Sequence, residues 1–484
     1  GNVHYYKDQS DFYHQQHYQL LLNQIISPTW KFNAALHYTK GFGYYEEYKR
    51  KRTVGEYGLV APTSPKFNNI TDLIRQKLMD NDFYGVIGSF DYDNKSNLRA
   101  TIGGGFNRYV GDHYGLVKWV KDTEKIDELL PNHQYYFNKG KKNDGNIYGK
   151  VSYEFTKGLS AYVDLQYRHV NYVNEGPTDN YDGTTQWVLD MEQNFDFFNP
   201  KAGLFYQINK NHSVYASYAM SHREPTRNDY ENNLNQHVKA ERLNDWELGY
   251  KYESEKFSAG VNFYYMTYRD QFVLTGEKNE IGEFIASNAN AGESYRRGVE
   301  IQAAWSPVKW FRWDANATWS HNRAKDWTVK LNDGKVVSLG DTPLSFSPNF
   351  IFNNIFTFNY AGFRAALTSQ YVSKQHLSNT GFNYYLSEEE DGDHKVSMVL
   401  KRHFITNLDL SYTFHLKGVK SITAGCTLYN LFSAKYFNNG WTSPSYKQVD
   451  GKVVAYTTPE DGRYSTGYGV SAPFNVMGHL SINF

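Results

Sequence analysis

The chain has 484 residues, 51 Lys+Arg against 51 Asp+Glu and a formal charge of zero, which argues against nucleic acid as a partner because phosphate neutralisation needs a basic excess. Aromatic residues make up 17% of it, with 42 Tyr and 31 Phe but 13 Pro, and no apolar run approaches the roughly 20 residues of a transmembrane helix. Mean hydropathy is negative, yet a transmembrane barrel exposes only alternate residues to lipid, so each of its strands averages to a neutral score.

Period-two alternation dominates the chain, as strands with two different faces require. Strands are expected near 14–26, 30–46, 81–92, 96–110, 145–156, 159–172, 195–208, 212–223, 241–253 and 256–273. Further ones are expected near 295–306, 309–323, 347–359, 363–375, 403–416, 419–431 and 474–484. Alternation predicts which side chains meet lipid: Val299, Ile301, Phe311, Trp313, Leu408, Leu410, Leu480, Ile482 and Phe484 outward, and Gln302, Arg312, Asp314, Asn407 and Asp409 inward.

Connection lengths separate a barrel from a soluble sandwich. Short links such as Ser27-Pro28-Thr29, Thr156-Lys157-Gly158, Tyr360-Ala361-Gly362 and Lys417-Gly418 alternate with long polar ones near 47–80, 111–144, 173–194, 275–294, 376–402 and 432–473. Short periplasmic turns and long extracellular loops mark an outer-membrane barrel. The expected fold class is therefore all-β, a transmembrane antiparallel β-barrel. About 17 strands are present, an odd number beginning outside, so 1–484 is expected to be the C-terminal part of a longer barrel.

Several segments, in order, resemble the TonB-dependent outer-membrane receptor family. Ser217 to Tyr230 contains His222-Arg223-Glu224-Pro225, similar to an aromatic-Arg-small-Pro box. Val238 to Tyr250 is similar to the family's LKPE…YELGY segment; Asn290-Ala291-Gly292 with Arg297-Gly298-Val299-Glu300-Ile301 resembles NxG…RGVE. Leu428 to Tyr436 is similar to the NLF…KY box, and the chain closes on the terminal Phe484. The resemblance implies 22 strands around an N-terminal plug, with that plug and about five strands outside this chain. It implies an outer-membrane importer in a Gram-negative bacterium, energised by the TonB-ExbB-ExbD complex. The cargo it suggests is an iron chelate such as a siderophore or haem. Alternatives are a cobalamin, glycan or peptide importer of the same fold, the last two with a surface lipoprotein as partner, or a passive substrate-specific porin.

In the family two barrel glutamates pair with plug arginines, and Glu247 and Glu300 match their motif positions. Arg223 and Arg227, with His222, are candidate ligand-binding residues: they either clamp an anion bidentately or pin loop carboxylates. Lys49-Arg50-Lys51-Arg52 is a candidate lipopolysaccharide contact or a solvated charge run; Glu388 to Asp393 lacks the ligand spacing of a calcium loop. Tyr114 and Trp119 are candidate stacking residues or girdle aromatics. No HxxxH or Cys/His metal spacing, cofactor fingerprint or catalytic elbow is present, so no metal, cofactor or catalytic residue is assigned and the chain is read as a non-enzyme.

Overall fold

The computed structural model describes residues 10–59, 69–123, 126, 131–181, 183–233, 238–278, 284–287, 292–389, 392–457 and 466–483. Phe484, Asn290, Ala291, Glu390 and Asp391, named above, lie outside these.

Seventeen long strands form one antiparallel sheet. We number them β1 (Asp11–Ile25), β2 (Trp30–Thr53), β3 (Ile70–Asp93), β4 (Leu98–Val120), β5 (His133–Thr156), β6 (Leu159–Glu175), β7 (Met191–Gln207), β8 (His212–Arg223) and β9 (Glu241–Glu253). They continue as β10 (Phe257–Arg269), β11 (Glu293–Val308), β12 (Phe311–Ala324), β13 (Phe350–Tyr360), β14 (Phe363–Val372), β15 (His403–Phe414), β16 (Ser421–Tyr429) and β17 (Asn475–Asn483). The fold is the antiparallel transmembrane β-barrel type expected from the alternation. Two compact units divide it: residues 1–153, 162–200 and 224–237, and residues 154–161, 201–223 and 238–484.

In the first unit β1 to β5 pair in sequence order. Here the strands outrun the sequence expectation: the connection expected near 47–80 is largely β-ladder, paired out to Thr53 opposite Ile70. The reason is physical. Above the lipid neither face is apolar, and the ladder is held instead by contacts such as Gln76 Nε2 donating to Glu46 (2.7 Å) and Arg75 against Glu47 (2.7 Å), which leave no hydrophobic alternation. The connections close over their own small core of Val54, Tyr57, Leu73, Val117, Tyr135 and Tyr136.

In the second unit β7 to β17 continue the meander, each strand paired with the next. Its long connections are also structured. Those after β10, β12 and β16 pack together around Val273, Trp327, Val329, Leu331 and Leu344, with Tyr446 and Val453 against them, and Tyr446 also packs against Tyr385 and Met398 of the connection after β14. A parallel pairing joins Leu386 and Ser387 to Tyr456 and Thr457, so two connections share one small sheet.

Paired residues share a face, and the register sorts them as expected. One row aligns Leu367, Leu408, Leu428 and Val476, the next Ala365, Leu410, Cys426 and Gly478. On the other face Asp409 meets Arg364 (2.7 Å), Thr427 (2.8 Å) and His479 (3.5 Å). The apolar face stays exposed, Trp246, Leu248 and Trp319 each at more than half, as lipid rather than core must cover it. On the polar face tyrosines lie over cross-strand glycines. A Cβ on Gly103 would sit 2.6 Å from the Tyr148 hydroxyl and 2.8 Å from the Gly88 carbonyl, so no larger residue fits.

Candidate functional site

On the polar face of the second unit, β9, β10 and β11 carry an acidic wall. Trp246, Leu248 and Tyr250 take the apolar face of β9, and the alternation turns Asp245 and Glu247 to the other. Glu247 lies opposite Tyr264, which lies opposite Gly298; Glu300 lies opposite Asn262. The two glutamates thus share a face, two strands apart at about 4.8 Å per strand, and are displaced by one two-residue step. Tyr215 Oη and Asn262 Nδ2 each approach Glu247 Oε2 at 3.4 Å, long enough to be weak, while Tyr215 Oη donates to Asn262 Oδ1 at 2.9 Å. Among the described residues neither Glu247 nor Glu300 has a cationic partner, and a buried Asp245 carboxylate oxygen accepts no hydrogen bond. Chemically, these carboxylates can accept hydrogen bonds or pair with cations.

A second polar centre lies in the first unit, where the connection after β8 returns along the inner wall of β5 and β6. Thr226 caps the five-residue helix α1 (Arg227–Glu231): its hydroxyl accepts from the Asp229 N–H while the Asp229 carboxylate accepts from the Thr226 N–H. Two anchors hold the segment down. Glu224, buried to 7% exposure, receives both arms of the Arg168 guanidinium at 2.8 Å and the Lys142 ammonium; Asp144 takes the rest of the Arg168 fork at 3.0 and 2.6 Å. At the other end Arg227 Nε donates to Asn138 Oδ1 at 3.1 Å and its NH2 meets Glu231 at 2.6 Å. Burial pushes the Glu224 carboxyl up, but the hydrogen bonds from Arg168 and Lys142 outweigh it and hold the group at about 2. Glu231 goes the other way: burial, opposed by Arg227 and helped by Asp179, lifts it to about 7.

The three candidate ligand-binding residues do not form one clamp. His222 shares its face with Arg242, opposite which it pairs, and Arg223 points to the other face with its guanidinium 4.9 Å over the Phe272 ring. The Arg227 fork is engaged by its own helix and by Asn138. Lys49 and Arg52 are likewise paired, with Glu47 (3.2 Å) and Glu56 (2.9 Å). Trp119, 44% exposed, lies 6.4 Å from Tyr48, and Tyr114 lies 6.3 Å from Phe137. Among the described residues no three His, Cys, Asp or Glu converge as metal ligands. Sequence reasoning missed the Glu224 centre, although its signal was visible: a glutamate occupies the small-residue position of the His-Arg-Glu-Pro box.

Comparison with known proteins supplies the remaining findings. Residues 1–431 match the family model described as TonB dependent receptor-like, beta-barrel. No curated protein matches significantly in sequence. Among solved structures, the chain is similar to the ferric-catecholate import receptor Fiu from E. coli K12 (14% identity, TM-score 0.63), covering 98% of this chain and 64% of that one. It is similar to the ferric yersiniabactin uptake receptor FyuA from Yersinia pestis (12%, TM-score 0.61; 97% and 61%). It is also similar to the siderophore receptor PiuA from Acinetobacter baumannii (13%, TM-score 0.63; 98% and 65%). The chain therefore spans just under two thirds of the length of these receptors, and at such identities the likeness is one of fold.

Proposed function

The chain belongs to the TonB-dependent receptor family of Gram-negative outer membranes, and on that premise we propose that it is the barrel wall of an active nutrient importer whose cargo is an iron chelate, a siderophore or haem. The observation that carries this reading is the family match over residues 1–431, together with a barrel fold shared with a ferric-catecholate import receptor, a ferric yersiniabactin uptake receptor and a siderophore receptor. Family and fold are those of transporters and receptors, not of enzymes. In this reading the TonB-ExbB-ExbD complex supplies the energy, through a part of the receptor that lies outside this chain.

The acidic wall gives the reading a mechanism. Glu247 and Glu300 share the polar face with no cationic partner among the described residues, and an unpaired carboxylate becomes expensive once a packed domain excludes water. We assign both as contacts for basic groups of a plug, with Asp245 beside them. Growth decides the cargo: a deletion strain supplied with single iron sources should lose at least one ferric chelate, and a tonB deletion should lose the same one. Loss confined to cobalamin, a glycan or a peptide would replace the cargo, and uptake independent of TonB would make the chain a passive porin.

A further inference from the structure

The apolar face of the second unit ends in a row of aromatic side chains at the long-connection end: Tyr218 opposite Trp246 opposite Tyr265. Such a row marks the outer boundary of the hydrocarbon. In line with it and in the two rows beyond, the same outward face turns basic. Arg297 and His321 extend the aromatic row, Arg323 lies one step on, and Arg242 opposite Arg269 lies two steps on, beside Glu293. Lys325 follows, its N–H bonded to the Glu293 carbonyl.

Among the described residues Glu293 is the acid in these rows, shared between Lys325 (3.0 Å) and Arg269 (3.7 Å), and Asp341 beyond them also attracts Lys325. Among the described residues the other three arginines have no carboxylate. Arg297 lies 5.7 Å over the Tyr295 ring, Arg323 reaches a backbone carbonyl at 3.4 Å, and Arg242 Nε is buried with no acceptor. Like charges directly opposed across a ladder destabilise it, as Arg242 and Arg269 must. The chain as a whole is neutral, so this excess is local. An excess of arginine over carboxylate among the described residues, at the level of lipid headgroups, suits anions from the membrane.

We propose that the outward face of β9 to β12 binds a phosphorylated glycolipid headgroup of the outer leaflet. Three strand intervals of about 4.8 Å and a two-residue offset of about 7 Å place Arg242 and Arg323 about 16 Å apart along the backbone, so separate phosphates on one headgroup are engaged at two ends of the patch. Asn244 and Thr267, in the row between, offer hydrogen bonds to sugar hydroxyls. The site depends on the family's outer-membrane placement and is independent of the cargo.

Native mass spectrometry of the full-length receptor in mild detergent tests this. A bis-phosphorylated lipid A should be retained at least about tenfold more than its dephosphorylated form, since each cation near an anionic surface contributes about fivefold. Replacing Arg242, Arg269, Arg297 and Arg323 by Gln should abolish the preference, and replacing them by Lys should keep it. Equal retention of the two lipids by the unaltered receptor overturns the proposal without any variant. Retention of phosphatidylglycerol to the same extent would reduce it to generic anionic-lipid attraction, and displacement by inorganic phosphate would make it a free-anion site. Either result refutes the glycolipid assignment.

Discussion

Replacing Glu224 by Gln keeps shape and acceptor oxygen but removes the charge that Arg168 and Lys142 surround. The carboxyl is held at about 2 against an ordinary 4.5. At about 1.36 kcal/mol per unit that difference is worth about 3 kcal/mol. The partners are 22% and 32% exposed, and Asp144 still satisfies part of Arg168, so solvent screening and the remaining pair trim this to about 2 kcal/mol. The whole barrel should not unfold; the segment from Pro225 to Asn233 should lift from β5 and β6. Hydrogen exchange reads this at the amides of Asp229, Tyr230 and Asn232, bonded to Thr226 Oγ1, Thr226 O and Asn228 O. Their opening should become about thirtyfold more frequent at pH 7. Because the folded-state pKa is depressed, the stabilisation is complete above 4.5 and lost as pH falls toward about 2. The unaltered protein should lose protection in that window, and the Gln variant should show no such loss. Equal protection at pH 7 in the two proteins would refute the idea that this carboxylate anchors the segment.

Glu231→Gln should behave oppositely: with the carboxyl lifted to about 7, ionisation costs stability as pH rises from 4.5 through 7, so the variant should be the better protected at pH 8 and equal at pH 4. Leu410→Arg places a charge on the apolar face opposite Ala365 and Cys426, at about 2–4 kcal/mol near the midplane, and should lower assembled receptor in outer-membrane fractions, whereas Asp409→Asn on the other face should not. Gly103→Ala pushes a methyl against the Tyr148 hydroxyl and the Gly88 carbonyl, and should slow assembly measured by heat-modifiable gel migration. In the intact receptor, Glu247→Gln with Glu300→Gln should raise entry of large antibiotics, and unchanged susceptibility would count against their plug-facing role.

How far the sequence reads depends on where lipid is. Strand β15, with Leu408 and Leu410 against Asn407 and Asp409, was legible because one face must be apolar and the other need not be. The upper halves of β2 to β5 were not, since Glu46, Glu47, Arg75 and Gln76 leave no hydrophobic period to detect. Paired residues 445–457 inside the last long connection were missed for the same reason. Helix α1 was missed although Thr226 and Asp229 stand at capping-box spacing, because five residues show no helical repeat. The family motifs pointed to Glu247 and Glu300 but said nothing of Lys142 and Arg168, which reach Glu224 from strands far away in sequence, or of Asp144, which holds Arg168.

The two units solve the same boundary problem differently, and the difference gives the basic patch its meaning. In the first unit the outward face passes Tyr38 and Tyr84 and then carries charges in pairs. Lys40 lies 2.6 and 3.1 Å from Asp80 and Asp82, Lys139 lies 3.2 Å from Asp112, and Lys141 lies 2.9 Å from Glu175. Exposed pairs of this kind contribute little to stability, but they leave no net field. In the second unit the outward face passes Tyr218, Trp246 and Tyr265 and then carries five cations, of which Arg242, Arg297 and Arg323 have no carboxylate among the described residues. A wall that only had to stay wetted would be served by the first arrangement. The second keeps a long-range attraction for anions and tolerates Arg242 opposite Arg269 to do so, which is what lipid recognition requires and solubility does not.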